Sequence, residues 1–370
     1  MSAWKHYNPV PIIHGPGKLN ELPAHCSEGR ILLVTSAGFT RRGVTERVQK
    51  LLGSERVSVV DQCTPNPDLD DVDELTIRCR THQPAHIVAL GGGSVLDTAK
   101  ALSVTIPHEV ERPLQASFRD QQASPWMSHI PVIAIPTTSG TGAEVTPFAT
   151  IWGGKEKKKY SLAHDRLFSH CAILDPELTV TLPEDETIYT ACDAISHAVE
   201  SLWNKHRTPL SVCWASASLA HSLRALPEVL KTPADVRARA NLQIGSVLAG
   251  LAISQTRTAL AHSMSYPLTL HYDVPHGLAC SYTLPAIARW LMHRDQVGLN
   301  DCAEFMPQVE AVLKRVQVGR RICAYATEEQ ILALVPEMRT VGRSDNFGYS
   351  VDDADLEALV QDALADKADG

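Results

Sequence analysis

Four side chains in the second half of the sequence are of the types that bind a divalent metal ion. Asp193 and His197 are four residues apart, so on a helix their carboxylate and imidazole share one face, a turn apart. Two further histidines, His262 and His276, follow downstream. One carboxylate and three imidazoles suit Fe²⁺ or Zn²⁺ and leave positions open for a substrate. A D-x-x-x-H pair alone is more often a surface polar pair, so the surrounding elements must decide.

The segment that carries Asp193 and His197 has the pattern of a helix. Pro183 and the acidic run 184–186 precede it, and these residue types mark the first turn of many helices. From there onward the chain is rich in Ala and Leu, with apolar residues at helical spacing. The predicted helices cover residues 186–203, 209–226, 234–252, 258–265, 279–292 and 303–316, and a last helix begins near residue 352.

The first half of the chain alternates short apolar strands with helices. The predicted strands cover residues 30–36, 57–60, 85–90 and 130–135, with helices at 44–52 and 68–80 between them. This alternation predicts βαβ units and a parallel sheet covered on both faces. The character of the sequence changes near residue 180. We therefore expect an α/β domain over residues 1–180 and an all-α domain over residues 181–370.

Two loops rich in glycine and hydroxyl side chains follow predicted strands. The loop 91–94 opens a helix, and its consecutive glycines let backbone N–H groups approach a phosphate. The loop 136–142 leaves the next strand in the same way, with hydroxyls suited to ribose, phosphate or an amide. The G-x-G-x-x-G fingerprint is absent, and a glycine-rich turn alone is as often structural as functional. Two such loops at the ends of parallel strands favour dinucleotide binding.

The composition excludes several classes of protein. The chain has 370 residues, of which 44% are hydrophobic and 21% charged, which is typical of a globular protein with two domains. Its formal net charge of −8 argues against a general nucleic-acid binder, and no apolar run is long enough to span a membrane. The N-terminal residues lack a signal-peptide pattern, and the nine cysteines have no C-x-x-C spacing. Reduced thiols and a cytoplasmic location are expected.

Over nearly its whole length the sequence resembles the iron-dependent (group III) alcohol dehydrogenase family. The matching motifs are residues 91–94 with Asp97 and Lys100, 136–142 with Glu144, and the segments 173–177, 193–200 and 275–277. The resemblance implies a Rossmann-like N-terminal domain and a helical metal-binding and substrate domain. We also expect a homodimer. The resemblance also implies that Asp193, His197, His262 and His276 hold Fe²⁺ or, as in some members, Zn²⁺. Such a metal polarises an aldehyde for hydride transfer from NADH or NADPH.

The same resemblance indicates where the dinucleotide binds. The matching residues are Asn66, Gly92, Gly93, Ser94, Asp97, Thr137, Thr138, Thr141 and Lys159. Ser36, after the first long strand, stands where members that prefer NAD often have an aspartate, which repels a 2′-phosphate. Ser36 removes that repulsion, and Arg41 and Arg42 lie nearby in sequence. We expect NADPH to be accepted, with NADH as the alternative.

Two positions depart from the family pattern. Tyr266 stands where many members have a second histidine after the third metal ligand. Its hydroxyl either donates a proton, although a free phenol has a pKa of about 10, or its ring forms an aromatic wall. Arg257 lies in a polar stretch that is small and apolar in other members. We expect Ser254 or Thr256 to cap a new helix, with Arg257 buried at its start.

A buried arginine beside a metal site needs an anionic partner. The partner of Arg257 is either an internal carboxylate or a phosphonate, phosphate or carboxylate group of the substrate. Residues 256–269 are most similar to the phosphonoacetaldehyde reductase (hydroxyethylphosphonate dehydrogenase) branch, which favours an anionic aldehyde. Within the lysine-rich run 155–159 we expect Lys155 and Lys157 in solvent, and Lys158 is a second candidate for the anion of a substrate.

Three other functions are compatible with these motifs. One is the reduction of neutral short-chain aldehydes. Another is a metal-dependent lyase or cyclase of the dehydroquinate-synthase type, which would show no net turnover of NAD(P)H. The third is a non-catalytic metal- or nucleotide-binding protein, in which a His262 substitution would leave every aldehyde reduction intact.

Overall fold

The computed structural model describes residues 3–122, 126–294 and 303–365. The chain forms two compact units. The first, called the α/β unit, consists of Asn8–Thr138 and Ala143–Thr179. The second, called the helical unit, consists of Val180–Gly370 with the short segments Met1–Tyr7 and Ser139–Gly142. Part of the second glycine-rich loop therefore belongs to the helical unit.

The α/β unit is built on a parallel sheet of six strands. The strands are β1 (Ile12–His14), β2 (Ile31–Val34), β3 (Val57–Val60), β4 (His86–Gly91), β5 (Val132–Pro136) and β8 (Cys171–Leu174), in the spatial order β1-β8-β5-β4-β2-β3. The helices are α1 (Ala37–Arg41), α2 (Val44–Leu52), α3 (Leu69–Arg80), α4 (Gly93–Thr105) and α5 (Pro113–Phe118). In the register of the sheet Val88 is level with Leu33 on one side and Ile133 on the other.

Both faces of the sheet are buried, as the continuous apolar runs predict. Leu32 and Ile87 belong to one apolar cluster, and Leu33 and Val88 belong to the other. Successive side chains of a strand point to opposite faces, so neighbours in sequence enter different clusters. The prediction of a parallel sheet covered on both sides is confirmed.

Four strands were not predicted from the sequence. Two of them, β1 and β8, are only three and four residues long and complete one side of the parallel sheet. The other two, β6 (Phe148–Gly153) and β7 (Lys158–Ala163), pair as an antiparallel hairpin. Within β7, Tyr160 and Leu162 are buried and alternate with exposed residues. Because this short alternation directly follows a lysine-rich run, it was not recognised in the sequence as a strand.

The helical unit contains the long helices α6 (Glu184–Leu202), α7 (Pro209–Lys231) and α8 (Val236–Thr256), which pack on one another. The remaining helices are α9 (Leu260–Tyr272), α10 (His276–Ser281), α11 (Leu284–Arg294), α12 (Met306–Arg315), α13 (Val318–Ile322), α14 (Glu328–Ala333) and α15 (Asp353–Ala365). The helix predicted over 279–292 is in fact two helices, separated at residues 282–283. Within the described ranges, none of the helices combines the length and apolarity needed to cross a bilayer.

Candidate metal centre

Four side chains converge on one oxygen atom of Asp193. Its Oδ1 lies 3.4 Å from Nε2 of His262, 3.5 Å from Nε2 of His197, 3.6 Å from Sγ of Cys280 and 3.9 Å from Nε2 of His276. All are buried except His276, whose side chain is 28% exposed. The structure therefore brings the four predicted residues together and adds Cys280, which the sequence interpretation missed.

The spacing of α6 and α10 explains how these groups meet. Asp193 and His197 are one turn apart on α6, and His276 and Cys280 are one turn apart on α10. Gly277 lets α10 approach α6 closely, because a Cβ atom there would lie 1.7 Å from the carbonyl oxygen of Tyr189. Any larger residue at this position would push His276 away from Asp193.

Glu200 orients His262 from behind. Its Oε2 accepts a hydrogen bond from Nδ1 of His262 at 2.6 Å, and its two oxygens also accept from the backbone N–H groups of Ala259, Ala261 and His262. The hydrogen bond to Glu200 holds the ring so that Nε2 of His262 faces Asp193. Glu200 is on the same helix as Asp193, seven residues later, so its spacing contained a signal that the sequence interpretation did not use.

The electrostatics of the cluster suit a cation. Burial by itself would raise the pKa of Asp193, but the three neighbouring imidazoles hold it well below its usual range. Burial lowers the pKa of His197 to about 4, with Asp193 opposing the shift. Asp193 is therefore a carboxylate and His197 a neutral imidazole at neutral pH, the forms in which both bind metals.

A buried ring nitrogen of His262 also indicates that this site binds a divalent metal. Nε2 of His262 is fully buried and has no hydrogen-bond partner among the described residues. Burying a ring nitrogen without a partner is costly, and a metal ion at this point removes that cost. The donor atoms of Asp193, His262, His276 and Cys280 lie within 4.8 Å of one another, while His197 stacks on His262 with ring centroids 4.6 Å apart. These residues fit a divalent metal such as Fe²⁺ or Zn²⁺.

Tyr266 is beside this cluster, one turn after His262 on α9. Its ring is nearly parallel to that of His276, with an angle of 20° and centroids 6.2 Å apart. Its hydroxyl accepts a hydrogen bond from Nε of Arg343 at 3.3 Å. Tyr266 thus has both the apolar face and the polar end that the sequence left as alternatives.

Arg257 is not where the sequence predicted. It ends α8 as its C-cap residue, with a positive φ of 61°, and its side chain is exposed rather than buried at the start of a helix. Ser254 and Thr256 lie inside α8, where their hydroxyls bond the carbonyls of Leu251 and Ala252. No local cap is needed at the start of α9, because the carboxylate of Glu200 binds its first amides.

The predicted phosphate loops of the α/β unit lie side by side. Gly91 of β4 is level with Pro136 of β5, and the N–H of Thr137 donates to the carbonyl of Gly91 at 3.0 Å. A Cβ atom at Gly92 would lie 3.1 Å from Cγ2 of Thr138, so the two loops are in close contact. Gly93 begins α4, and its neighbour Ser94 accepts a hydrogen bond through Oγ from the N–H of Asn66 at 3.2 Å.

The other predicted cofactor and substrate residues have mixed surroundings. Oδ2 of Asp97 accepts from the N–H of Thr150 at 2.9 Å, and burial raises the pKa of Asp97 to about 6. Nζ of Lys159 lies 5.4 Å from the ring centre of Trp152. The remaining three are placed as follows: Ser36 precedes α1 in extended conformation, Thr141 belongs to the helical unit, and Lys158 is exposed with Nζ 5.2 Å from the Tyr160 ring. Contact with a nucleotide or substrate stays a prediction for all of them.

Comparison with known families gives two consecutive matches. Residues 9–176 match the model described as "Iron-containing alcohol dehydrogenase". Residues 187–369 match the model described as "Fe-containing alcohol dehydrogenase family, C-terminal". Together the two matches cover nearly the whole chain.

Individual relatives agree with these matches. The chain is 34% identical over 278 residues to phosphonoacetaldehyde reductase of Streptomyces viridochromogenes, which covers 74% of this chain and 69% of the relative. It is 28% identical over 288 residues to sulfoacetaldehyde reductase of Bilophila wadsworthia, covering 76% and 73%. The crystal structure of sulfoacetaldehyde reductase from Bifidobacterium kashiwanohense in complex with NAD⁺ has a TM-score of 0.87 and 29% identity, covering 99% of this chain and all of that one.

Proposed function

Because the chain belongs to the iron-containing alcohol dehydrogenase family, we propose that it reduces a small anionic aldehyde, such as phosphonoacetaldehyde, to the primary alcohol with NADH or NADPH. The observation that carries the metal-dependent chemistry is the convergence of three imidazoles on Oδ1 of Asp193. Few structural roles require so many buried ionisable groups around one oxygen atom.

Six side chains of the helical unit have roles in this proposal. Asp193, His197, His262 and His276 would hold the metal, which supplies a Lewis acid for the substrate oxygen. Glu200 keeps the Nε2 lone pair of His262 directed at the centre through its 2.6 Å hydrogen bond to Nδ1. The ring of Tyr266, stacked on His276, limits the space beside the reacting carbonyl.

In the α/β unit we propose that the adjacent loops after β4 and β5 bind the dinucleotide. The helix α4 begins at Gly93, and the first turn of a helix has N–H groups without intrahelical partners, which favour a pyrophosphate. Ser36 has no charge to repel a 2′-phosphate, so both NADH and NADPH are proposed as reductants. Their relative kcat/KM values decide the preference.

An anionic substrate is supported by two observations. Two relatives, a phosphonoacetaldehyde reductase and a sulfoacetaldehyde reductase, bear names that refer to aldehydes with an acidic head group. In this chain the Arg257 side chain is exposed at the loop that leads into α9, the helix of His262 and Tyr266. Lys158 is the second proposed cation for the head group. The competing proposal is a reductase of neutral short-chain aldehydes.

The test is the oxidation of NADH and NADPH by Fe²⁺- and Zn²⁺-loaded protein with aldehydes of similar size. Phosphonoacetaldehyde, sulfoacetaldehyde and propionaldehyde are compared by kcat/KM. The proposal expects the phosphonate to be preferred over propionaldehyde. Equal values would favour the neutral-aldehyde alternative. Chemistry on a substrate without net NAD(P)H oxidation would favour the lyase alternative and contradict the proposal.

We also propose a cytoplasmic homodimer. The eight cysteines in the described part of the chain are all free thiols, which supports a reducing compartment. Light scattering on the purified protein measures the oligomeric state, and a monomer would contradict the dimer.

A further inference from the structure

A second arginine, which no sequence motif indicated, lies next to the candidate metal centre. Arg343 is in the segment between α14 and α15, and its Nε donates a hydrogen bond to the hydroxyl of Tyr266 at 3.3 Å. The ring of Tyr266 in turn stacks on His276. The guanidinium of Arg343 is therefore separated from a candidate metal ligand by a single tyrosine side chain.

The segment that carries Arg343 is fixed to the start of α9 at two points. Ser263, the residue after His262, donates through Oγ to the carbonyl of Met338 at 2.8 Å and accepts from the N–H of Thr340 at 2.7 Å. Nδ2 of Asn346 donates to the carbonyls of Thr258 and Gly342 at 2.9 and 3.0 Å. Guanidinium groups on such a fixed frame lose less freedom when they bind a ligand.

The second of these points brings Arg343 close to Arg257. The side-chain amide of Asn346 donates to the carbonyl of Thr258, which follows Arg257, and to the carbonyl of Gly342, which precedes Arg343. One side chain therefore connects the two segments that carry the arginines. Although Arg257 is exposed overall, partial desolvation of its guanidinium lowers its pKa, and the positive charge of Arg343 lowers it further. Two like charges near enough to act on each other repel, and an anion between them would offset that repulsion.

The chain itself supplies no such anion to Arg257. The guanidinium of Arg257 makes no ion pair or side-chain hydrogen bond with any described residue, although Asn204 holds its backbone carbonyl at 3.2 Å. Arg257 also has a φ of 61°, and such backbone strain is often found at ligand clamps.

Building on the proposed function, we propose that Arg257 and Arg343 together form a clamp for the charged head group of the substrate. Two guanidinium groups present forked pairs of N–H donors, which match the oxygens of a phosphonate or sulfonate. Since only the side chain of Tyr266 separates Arg343 from His276, the clamp favours an aldehyde with a short carbon chain between its carbonyl and its anion. Arg343 is thus a specificity residue and Tyr266 positions it.

The test compares Arg257→Met, Arg343→Met and Arg343→Lys with a matched control, Arg339→Met. Arg339 is in the same segment but forms an exposed ion pair with Asp353, so its replacement removes one positive charge without touching the clamp. For each protein, kcat/KM is measured with phosphonoacetaldehyde and propionaldehyde, and calorimetry gives the Kd of 2-hydroxyethylphosphonate. The melting temperature of each variant reports whether it has folded.

We expect each Met substitution at the clamp to lower the ratio of the two kcat/KM values by about 10- to 100-fold, mainly through KM for the phosphonate. Arg343→Lys should recover only part of this loss, because lysine keeps the charge but lacks the fork. Arg339→Met should resemble the wild type. Folded Arg257→Met and Arg343→Met proteins with wild-type ratios, or with equal losses on both aldehydes, would overturn the clamp.

Calorimetry separates the clamp from the proposed function. If the loaded wild type oxidises no NAD(P)H with any aldehyde, the proposed reductase fails, yet the clamp still predicts that 2-hydroxyethylphosphonate binds the wild type more tightly than Arg343→Met by about 10-fold or more. If aldehydes are reduced but the wild type and this variant bind the phosphonate equally, the clamp fails while the reductase stands.

Discussion

The candidate metal centre and the proposed arginine clamp both adjoin α9, which carries His262 and Tyr266, but they are built in opposite ways. The metal centre consists of side chains on helices that are buried except for that of His276, and their positions follow from one-turn spacings and from a carboxylate, Glu200, that fixes the orientation of His262. The clamp consists of an exposed and a partly buried arginine on connecting segments. The comparison indicates that burial secures the chemistry, while the substrate is selected by residues that can change at little cost to the fold.

The largest effect is expected from removing a metal donor. His262→Ala deletes the Nε2 atom 3.4 Å from Asp193 and leaves the buried Glu200 carboxylate without its imidazole partner. Metal content should fall, and kcat/KM should fall by more than about 100-fold with anionic and neutral aldehydes alike, since losses behind the ligands already cost roughly 10- to 100-fold. Metal analysis and NADH oxidation measure the two quantities. A His262→Ala protein that keeps its metal and loses activity only with the anionic aldehyde would contradict this assignment. It would place His262 among the residues that select the substrate.

A smaller effect is expected from replacing Glu200, which hydrogen-bonds a candidate metal ligand but is not itself a ligand. Glu200→Gln keeps the shape of the side chain but removes the charge that accepts four hydrogen bonds at the start of α9. We expect about a 10- to 100-fold loss of metal affinity, with the preference between aldehydes unchanged. Chelator competition measures the affinity. Glu186→Gln, at an exposed position of the same helix, is the control and should bind metal as the wild type does.

Salt should distinguish the two regions without any mutation. Between about 0.05 and 0.5 M NaCl the charges of an exposed clamp are increasingly screened, whereas a buried donor set is screened much less. KM for phosphonoacetaldehyde should rise roughly fivefold over this range, and KM for propionaldehyde should change by less than about twofold. If KM rose by the same factor for both aldehydes, exposed positive charges would not be contributing to binding of the phosphonate group.

The smallest effect is expected at the residue that connects the regions. Tyr266→Phe keeps the ring stacked on His276 but removes the hydroxyl that accepts from Arg343. KM for the phosphonate should rise about twofold to threefold, because the lost bond is long, at 3.3 Å, and Arg343 keeps its hydrogen bond to the carbonyl of Gly342. Metal content should not change. A large fall in kcat with both aldehydes would instead identify Tyr266 as a proton donor.

The predictability of the two regions from sequence follows the same division. Asp193 and His197 could be placed because a helix fixes which residues share a face, and the central strands could be placed because continuous apolar runs indicate buried parallel strands. Glu200, seven residues after Asp193 on the same helix, had a spacing that could have been used, whereas Cys280 is on another helix and its residue type alone does not indicate a contact with Asp193. The helices and strands could be predicted because their residue patterns are regular. The contacts between helices that complete the metal centre could not be predicted in this way.

Arg257 shows why the clamp was harder to predict. The sequence offered Ser254 and Thr256 as local helix caps, but Glu200, distant in sequence, caps α9 instead, and α8 continues to Thr256. Arg343 was not predicted at all, because its position depends on how Ser263 and Asn346 fasten a connecting segment. No spacing in the sequence records such an attachment.

The central claim is that Asp193, His197, His262 and His276 hold one divalent metal ion. Anomalous X-ray scattering from crystals of the Zn²⁺-loaded protein, recorded on both sides of the zinc absorption edge, tests it most directly. We expect one strong peak per chain, enclosed by these four side chains, and no peak there in crystals of similarly treated His262→Ala protein. A peak at other residues, or the same peak in the variant, would contradict it.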